Sequence, residues 1–559
     1  MFFRLKKSGN RQYLQIVQNH WDKSRGMPRQ QVLVTLGRYD HLVDKGSLKS
    51  LLASGERFCD ELLILSDHKK GKSKKVSTRR IGAVLIFERL WKESGISEIL
   101  SQLLAERFFE FDVEKAIFFS VLHRILESGS DRNCDKWLRE YVFIACDIQF
   151  HLHHYYRAMN WIGEPLQMYK GEDDQISFSP RCSKDVIEER LFQRNRTLFS
   201  NLEVVFFDTT SIYFEGAGGE TLGAFGNSKD HRPDRKQLVV GVIIDDKGHP
   251  ISCEIWPGNT TDVKTLIPIV KRLKKRFRIN QVCIVSDRGM ISQEVLAWLE
   301  SESWPYILGA RMRNQKEVKQ EVLKRGGRYK TVVAWEEKKG GKSRKSRESL
   351  LKIKEVKVAD RRYVVCFNVA QACKEKNDRL EILRSLEKQL KQGGKSLVGN
   401  KGYRKYLKSV GKAFEIDREK IKQEARFDGK WVLRTNTSLE ACKVALQYKE
   451  LWMVEQIFRS MKTLLETRPI YHQSDNAIRG HVFCSFLALL LIKTLNMRLE
   501  ERGLKYEWDD ILRDLDSLEE IEIEKEDKRF LLRSDLKGCC GDIFRAVGVA
   551  VPPSFRELE

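Results

Sequence analysis

The sequence predicts an α/β fold class, and three observations predict it. Apolar runs at 204–207 and 281–286 each lead into an aspartate, Asp208 and Asp287. Continuous apolar runs mark strands covered on both faces. Around them, strand-like and helix-like patterns alternate, which distinguishes a layered α/β arrangement from separate helical and sheet domains. Further on, residues 448–462 carry an apolar stripe at helical spacing, with the carboxylate of Glu455 off that stripe.

The central region justifies that class element by element. It begins with the strand at 204–207 and a second strand passing through 211–214. A Gly-containing basic turn, GNSKDHRPDRKQ, follows at 226–237. Strand 238–244, turn DDKG at 245–248 and strand 250–256 come next, then helix 262–277, strand 281–286, helix 292–302 and strand 305–310. Three meandering strands, then helix, strand, helix, strand, is the order of a ribonuclease H-like sheet, with an antiparallel edge and helices on its faces. Its first and fourth strands are neighbours, so Asp208 and Asp287 are expected to meet near one edge of the sheet.

Residues 312–440 form a second composition regime, with strand-like segments at 351–358, 362–368 and 430–434, a basic loop at 338–347 and a charged helix at 378–391. They read as a β-rich insertion ahead of the Glu455 helix. Upstream, residues 2–38 alternate apolar and polar in three runs separated by turn residues, which predicts a small antiparallel sheet. A helical pattern covers 49–65. Residues 68–80, HKKGKSKKVSTRR, read as a solvated linker able to touch phosphate. Helical periodicity runs from 81 to 161, broken at 129–131, as in helix-turn-helix folds and in other bundles alike. A linker at 163–182 and a helix at 183–199 complete this part. The helix at 481–499 is strongly apolar, and a short tail follows.

The expected organisation is a small β-sheet plus helix (1–66), a linker and helical region (67–200), the first part of the core (201–311), the insertion (312–440), and the second part of the core with the Glu455 helix (441–500). A C-terminal α/β tail (501–559) is the candidate dimerisation element.

Composition narrows the function. Lys plus Arg number 101 against 78 acids in 559 residues, a net charge of +23. Such an excess suits a polyanion, because each neutralised phosphate releases counterions. A membrane surface is the rival polyanion. Yet the longest apolar run, 484–492, is far below the roughly 18 residues that span a bilayer. The opening MFFRLKKSGN has no extended apolar stretch after its basic residues, so no signal peptide is expected. The 12 cysteines include no C-x-x-C pair, which favours reduced, buried thiols and a cytoplasmic setting. His151, His153 and His154 lack a Cys or acidic partner at ligand spacing and read as structural or solvated histidines.

On one helix at roughly 100° per residue, Tyr448, Glu455, Arg459 and Lys462 fall within about 60° of one another. Taken alone, this is a surface helix with a Glu455–Arg459 pair, worth a few tenths of a kcal/mol. Asp208 and Asp287 taken alone are ordinary strand-end acids. Three carboxylates held together repel one another unless divalent cations lie between them, and oxygen ligands suit Mg²⁺, with Mn²⁺ able to substitute. Two such ions clamp the attacking and leaving oxygens of an in-line phosphoryl displacement. In a strongly basic chain the natural phosphodiester is a nucleic-acid backbone. Lys229, Arg232, Arg235, Arg288 and Arg434 are phosphate-facing candidates, each also readable as solvated charge. Trp335 is either a base-stacking or a packing residue.

In these motifs the sequence resembles the DDE transposases of bacterial insertion sequences, in the subgroup with a long β-rich insertion before the glutamate. The third motif of that group is Y-x2-R-x3-E-x6-K. Tyr448, Glu455 and Lys462 match it, and Leu451 stands in place of the arginine, with Arg459 nearby. VVFFDTTSIYFEG, VSDRGMIS, GNSKDHRPDRKQ, WPGNT, LVGNKGYRKYL, FDGKWVLRTNT and TRPIYHQSDNAIRGHVFCSF are also similar to that family. The resemblance spans about 1–553 and is densest over 202–495. It implies that Asp208, Asp287 and Glu455 hold two Mg²⁺ ions, that water attacks the element's end, and that the freed 3′-hydroxyl attacks target DNA. It also implies that Tyr448 and Lys462 contact the DNA backbone, that the helical region binds the terminal inverted repeats, and that a homodimer holds the paired ends. The setting implied is the bacterial cytoplasm, on the nucleoid. The alternatives are a catalytically impaired, transposase-derived DNA-binding protein and another ribonuclease H-like nuclease.

Overall fold

The computed structural model describes residues 1–22, 27–55, 74–141, 150–166, 180–195, 202–279, 281–332, 335–336, 344–345, 351–392, 405–410, 413–525 and 528–558. The chain divides into two compact units.

The first unit comprises Met1–Gly82, Trp508–Gly541 and Ala550–Glu559. Strands β1 (Phe2–Ser8), β2 (Arg11–Asp22) and β3 (Met27–Arg38) form the antiparallel sheet that the alternation predicts. Helices α1 (Tyr39–Asp44) and α2 (Ser47–Gly55) follow. Residues 56–65 of the expected helix lie outside the described residues. The expected linker differs from the reading, because Lys74–Arg80 is a strand, β4. It pairs antiparallel with β18 (Glu519–Lys525) in a sheet completed by β19 (Lys528–Arg533) and β20 (Phe555–Leu558). The reason is electrostatic. The basic strand lies against EEIEIEK, with Arg79 3.7 Å from Glu522 and Ser77 Oγ donating to Glu522 at 3.0 Å. Opposite charges facing one another across a ladder each add roughly 0.2–1 kcal/mol.

The second unit comprises Ala83–Glu507 and Asp542–Val549. Its helical part holds α3 (Gly82–Glu93), α4 (Ile96–Leu104), α5 (Val113–Leu126), α6 (Asp131–Tyr141), α7 (Leu152–Ile162) and α8 (Ser183–Arg194). Helices α5 and α7 pack against a long helix, α15 (Asp475–Glu501). By length and composition α15 could cross a membrane, but 72% of its apolar window is buried inside the unit, so it is the axis of the helical core. Gly480 on α15 allows the approach of α7: a Cβ there would sit 2.0 Å from the Met159 carbonyl oxygen.

The main sheet has nine strands in the order β10-β13-β14-β17-β9-β8-β5-β6-β7. The strands expected from the ribonuclease H-like pattern are β5 (Val204–Tyr213), β6 (Gln237–Ile244), β7 (Pro250–Pro257), β8 (Cys283–Ser286) and β9 (Tyr306–Ala310). Helices α9 (Leu266–Phe277) and α10 (Gln293–Ser301) lie between them in sequence. Leu266, Ile269, Val295 and Leu299 pack with Val205, Phe207 and Ile284 in one core cluster.

Three expectations are corrected here. First, β5 is a single ten-residue strand, so Asp208 lies within it rather than at its end; its second half keeps pairing with β6, from Asp208↔Val242 to Tyr213↔Gln237. Second, β5 and β8 lie in the interior of the sheet, not near an edge. Strands β10 (Lys330–Thr331), β13 (Leu351–Val358), β14 (Arg361–Asn368) and β17 (Lys430–Thr435), all from 312–440, continue the same sheet beyond β9. The short pairs β11 (Trp335–Glu336) with β12 (Arg344–Lys345) and β15 (Leu407–Val410) with β16 (Ala413–Ile416) stand apart from it. Helices α11 (Val369–Gln392) and α12 (Arg418–Ala425) complete this stretch.

Third, residues 448–462 are not one helix. They divide into the end of α13 (Ala441–Lys449), then α14 (Trp452–Arg459), then a wider π turn, Ser460–Leu464. At the break, Leu451 N–H bonds Tyr448 O at 3.2 Å, and Met453 N–H bonds Glu450 O at 3.0 Å. These three-residue bonds tighten the chain into a corner. Buried Leu451 sits at that corner.

Candidate active site

The two aspartates meet because of strand register. β5 and β8 run parallel, and their last paired residues are Phe207 and Ser286. Asp208 and Asp287 are the next residue on each chain, so both follow the final rung of one ladder. Ser286 Oγ closes that end by donating to the Phe207 carbonyl at 2.8 Å. Asp208 accepts from the Thr209 N–H at 2.7 Å. Asp287 accepts from the Tyr448 hydroxyl at 2.9 Å. Among the described residues, the second oxygen of each carboxylate has no hydrogen-bond partner.

Burial pushes the Asp208 carboxyl up to about 6, and the negative charges of Asp287 and Asp262 push it the same way, against the pull of Lys229. Burial, together with the charge of Asp287, also raises the Tyr448 phenol, which stays protonated and donates. Crowded carboxylates with free oxygens are the donor set that a hard divalent cation satisfies, so these residues fit Mg²⁺ or Mn²⁺. Gly309 on β9 makes room for the tyrosine. A Cβ there would lie 2.5 Å from the Tyr448 hydroxyl and 2.9 Å from the Arg288 backbone nitrogen.

Glu455 is placed differently. Helix α14 packs on β5 and β6, and Glu455 lies on its exposed side. Its carboxylate makes no hydrogen bond or ion pair among the described residues.

The basic candidates divide by what they touch. Lys229 belongs to the site: its ammonium donates to the Thr209 carbonyl at 2.7 Å and the Thr209 hydroxyl at 3.0 Å, and stands 3.3 Å from Asp262. Lys462 is paired with buried Asp230 at 2.7 Å. Arg232 pairs with Asp234 and lies over the Tyr213 ring, and Arg235 pairs with Glu215. Arg288 and Arg459 are exposed. Arg434 is only 9% exposed, and its guanidinium is taken by Glu300 at 2.8 Å and the Tyr306 hydroxyl at 3.2 Å. Its reading as a phosphate-facing group is therefore withdrawn: the side chain is buried and its guanidinium is already paired with a carboxylate. The side chain of Trp335 lies outside the described residues.

Sequence reasoning missed Asp262 and Thr209. Asp262 accepts from the Thr209 hydroxyl at 2.6 Å, and so braces the residue after Asp208. The threonine pair in DTTS was the available signal. It also missed a buried group formed by Asp131, His472 and His481. There Arg124 donates to Asp131 at 3.1 Å and faces His481 Nδ1 at 3.0 Å, while His472 lies 2.9 Å from Asp131. A guanidinium already occupies the cation's place, so this cluster is structural. His151, His153 and His154 are not part of it. The His154 ring accepts from the His151 N–H at 3.1 Å and caps α7.

The parallel β5–β8 ladder thus ends in two aspartates, on a mixed sheet with helices between its strands. Residues 200–491 match the transposase DDE domain, and the chain belongs to the DDE transposase family. Residues 3–69 match the N-terminal domain of the IS1634 family transposases, which places the chain with the transposases of insertion sequences. No curated protein matches. Among solved structures, the chain is similar to the piggyBac transposase in a synaptic complex with hairpin DNA, at 12% identity over 78% of this chain and 79% of that one, with a TM-score of 0.34. It is also similar to the Mos1 transposase in a paired-end complex with the left transposon end, at 14% identity over 36% of this chain and 60% of that one, with a TM-score of 0.15.

Proposed function

We propose that this chain binds the terminal inverted repeats of its own insertion sequence, cleaves the element's ends and joins the freed 3′-hydroxyl to target DNA. The observation that carries the reading is the placement of Asp208 and Asp287 after the last rung of the β5–β8 ladder, within a matched DDE domain. Asp208, Asp287 and Glu455 would hold the divalent ions. Bound there, Mg²⁺ supplies charge stabilisation for an in-line displacement at phosphorus and lowers the pKa of the attacking water.

The protein's own residues do the positioning. Tyr448 holds the Asp287 carboxylate by donating to one of its oxygens. The Thr209 N–H does the same for Asp208. Lys229, braced by Thr209 and Asp262, puts a positive charge beside the carboxylates, where a phosphate would approach. Exposed Glu455 is free to close on the site when DNA and metal bind. Duplex DNA is the partner, and a homodimer holds the paired ends in the bacterial cytoplasm.

The test is incubation with the element's own terminal DNA and a supercoiled target, with Mg²⁺ or with EDTA. Metal-dependent cutting at the ends and joined product are expected, and Asp208→Asn, Asp287→Asn and Glu455→Gln should each abolish both while retaining DNA binding. Cutting without joining would reassign the chain as a plain nuclease. Binding without cutting in any divalent metal would make it a DNA-binding relic, and normal cutting by any of the three variants would remove that residue from the set.

A further inference from the structure

Asp262 stands between the two strand ends that carry the aspartates. Its Oδ1 accepts from the hydroxyl of Thr209, the residue after Asp208, at 2.6 Å. Its Oδ2 lies against Gly289, two residues after Asp287, where a Cβ would come within 3.1 Å of it. The same Oδ2 is 3.3 Å from the Lys229 ammonium, which also donates to the Thr209 carbonyl at 2.7 Å and the Thr209 hydroxyl at 3.0 Å. The Thr209 N–H, in turn, donates to Asp208 at 2.7 Å. In a strand, the N–H and C=O of one residue face the same side, so the ammonium and the Asp208 carboxylate share one edge of β5. Beyond Phe207 that edge has lost its strand neighbour, because β8 ends at Ser286. Yet among the described residues Lys229 forms no ion pair with Asp208 or Asp287; its ammonium contacts Thr209 and Asp262.

A flexible ammonium beside carboxylates with free oxygens ordinarily pairs with them, because a charge-assisted hydrogen bond is the stronger kind. The Asp131 cluster shows that outcome in this same chain: Arg124 donates to Asp131 at 3.1 Å and fills the place of a cation. We propose that Asp262 is a positioning residue that holds Lys229 off the metal seat. Its carboxylate and Thr209 give the ammonium another place to bind, and so leave the unpaired oxygens of Asp208 and Asp287 to a divalent ion. This role rests on the divalent-ion reading of Asp208 and Asp287. It differs from that of a fourth ligand, because both oxygens of Asp262 are already engaged, one by a hydroxyl and one by the ammonium. Asp208 and Asp287 each keep one oxygen without a hydrogen-bond partner among the described residues.

The experiment is a double-mutant cycle in the full-length protein: wild type, Asp262→Asn, Lys229→Met and the double variant. Each is stripped of metal and titrated with Mn²⁺, without DNA, and bound ion is read by electron spin resonance. Asp208→Asn identifies the signal that belongs to this site. Asp262→Asn should weaken Mn²⁺ binding by about tenfold or more, because the released ammonium falls onto the carboxylates. In the Lys229→Met background the same substitution should cost at most about threefold, the effect of one lost neighbouring charge, since no ammonium remains to be released. Equal losses in the two backgrounds would make Asp262 a ligand or a plain source of negative field, and would overturn the holding role. No loss in the presence of Lys229 would overturn it as well. If Asp262→Asn does not fold, Asp262→Ser removes the charge in a smaller side chain and is read in the same two backgrounds. A wild type that binds no Mn²⁺ would refute the divalent-ion reading and the holding role with it. Coupled losses in a protein that never cuts its terminal DNA would leave the holding role standing and refute the transposition reading.

Discussion

Asp208→Asn should stabilise the metal-free protein, and the size of the effect follows from the site. The Asp208 carboxyl titrates at about 6 in the fold against 3.8 as an ordinary carboxyl. Between those values the unfolded chain has given up its proton and the folded chain has not. Folding therefore carries a penalty that is absent below pH 4, grows from there to pH 6 and is complete above it. A difference of about two pKa units at about 1.36 kcal/mol each gives a penalty of about 3 kcal/mol at pH 8. Asparagine keeps the shape and removes the charge, so it should recover that amount. For a unit of this size, with an unfolding entropy of about 2.1 cal/mol/K per residue, about 3 kcal/mol corresponds to roughly 3 °C in Tm. The assay is scanning calorimetry in EDTA at pH 4, 6 and 8, with and without Mg²⁺. The variant should melt higher than wild type at pH 8, and at the same temperature at pH 4. Mg²⁺ should bring the two nearly level at a hundred times its Kd and reverse the order at a thousand times, because an ion bound only by the folded site stabilises by about 2.7 and about 4.1 kcal/mol at those concentrations. A variant that melts no higher than wild type at pH 8 in EDTA would refute the claim that Asp208 is held against its charge.

Three further outcomes are expected. Tyr448→Phe removes the hydroxyl on Asp287; a hydrogen bond to a charged group is worth about 1.5–3 kcal/mol, so end cleavage should slow roughly tenfold to a hundredfold. Gly309→Ala should impair cleavage as well, but less so in the Tyr448→Phe background, where the atom 2.5 Å from the new Cβ is gone; additive rate effects would argue against this contact. Arg434→Met should lower the thermal stability of the protein by breaking the pair with Glu300, while the salt slope of DNA binding stays the same; a reduced slope would restore it as a phosphate contact.

The parts of the fold that follow local pattern were legible. Apolar runs located β6, β7, β8, β9 and the first half of β5, and the expected adjacency of the first and fourth strands then brought Asp208 and Asp287 together. What was hidden depends on partners far along the chain. The strand identity of KKVSTRR is decided by the acidic strand at the other end of the sequence, so locally it reads as solvated charge. The charge of Arg434 gave no sign that Glu300 and Tyr306 would enclose it. The corner at Glu450–Leu451 was invisible to periodicity, because three-residue bonds change the phase of a helix without altering its composition. The seven-residue spacing from Glu455 to Lys462 suggested one shared face, yet the π turn alters the rotation between them.

The insertion explains how a residue so late in the sequence meets Asp287. The chain leaves the central sheet after β9 and adds β13 and β14 farther out. It then returns through β17, which pairs directly with β9, Leu433 opposite Gly309. Helix α13 therefore starts one strand away from the point of departure, and it packs on β8, β9, β13 and β14. That return carries Tyr448 over Gly309 to Asp287. A sheet extended strand by strand keeps its growing edge away from the centre while bringing its last strand home, so length can be added between β9 and α13 without moving the tyrosine. The glycine at 309 is then a requirement of the route and not only of the site, because there the returning helix brings its tyrosine hydroxyl against the strand that the chain left.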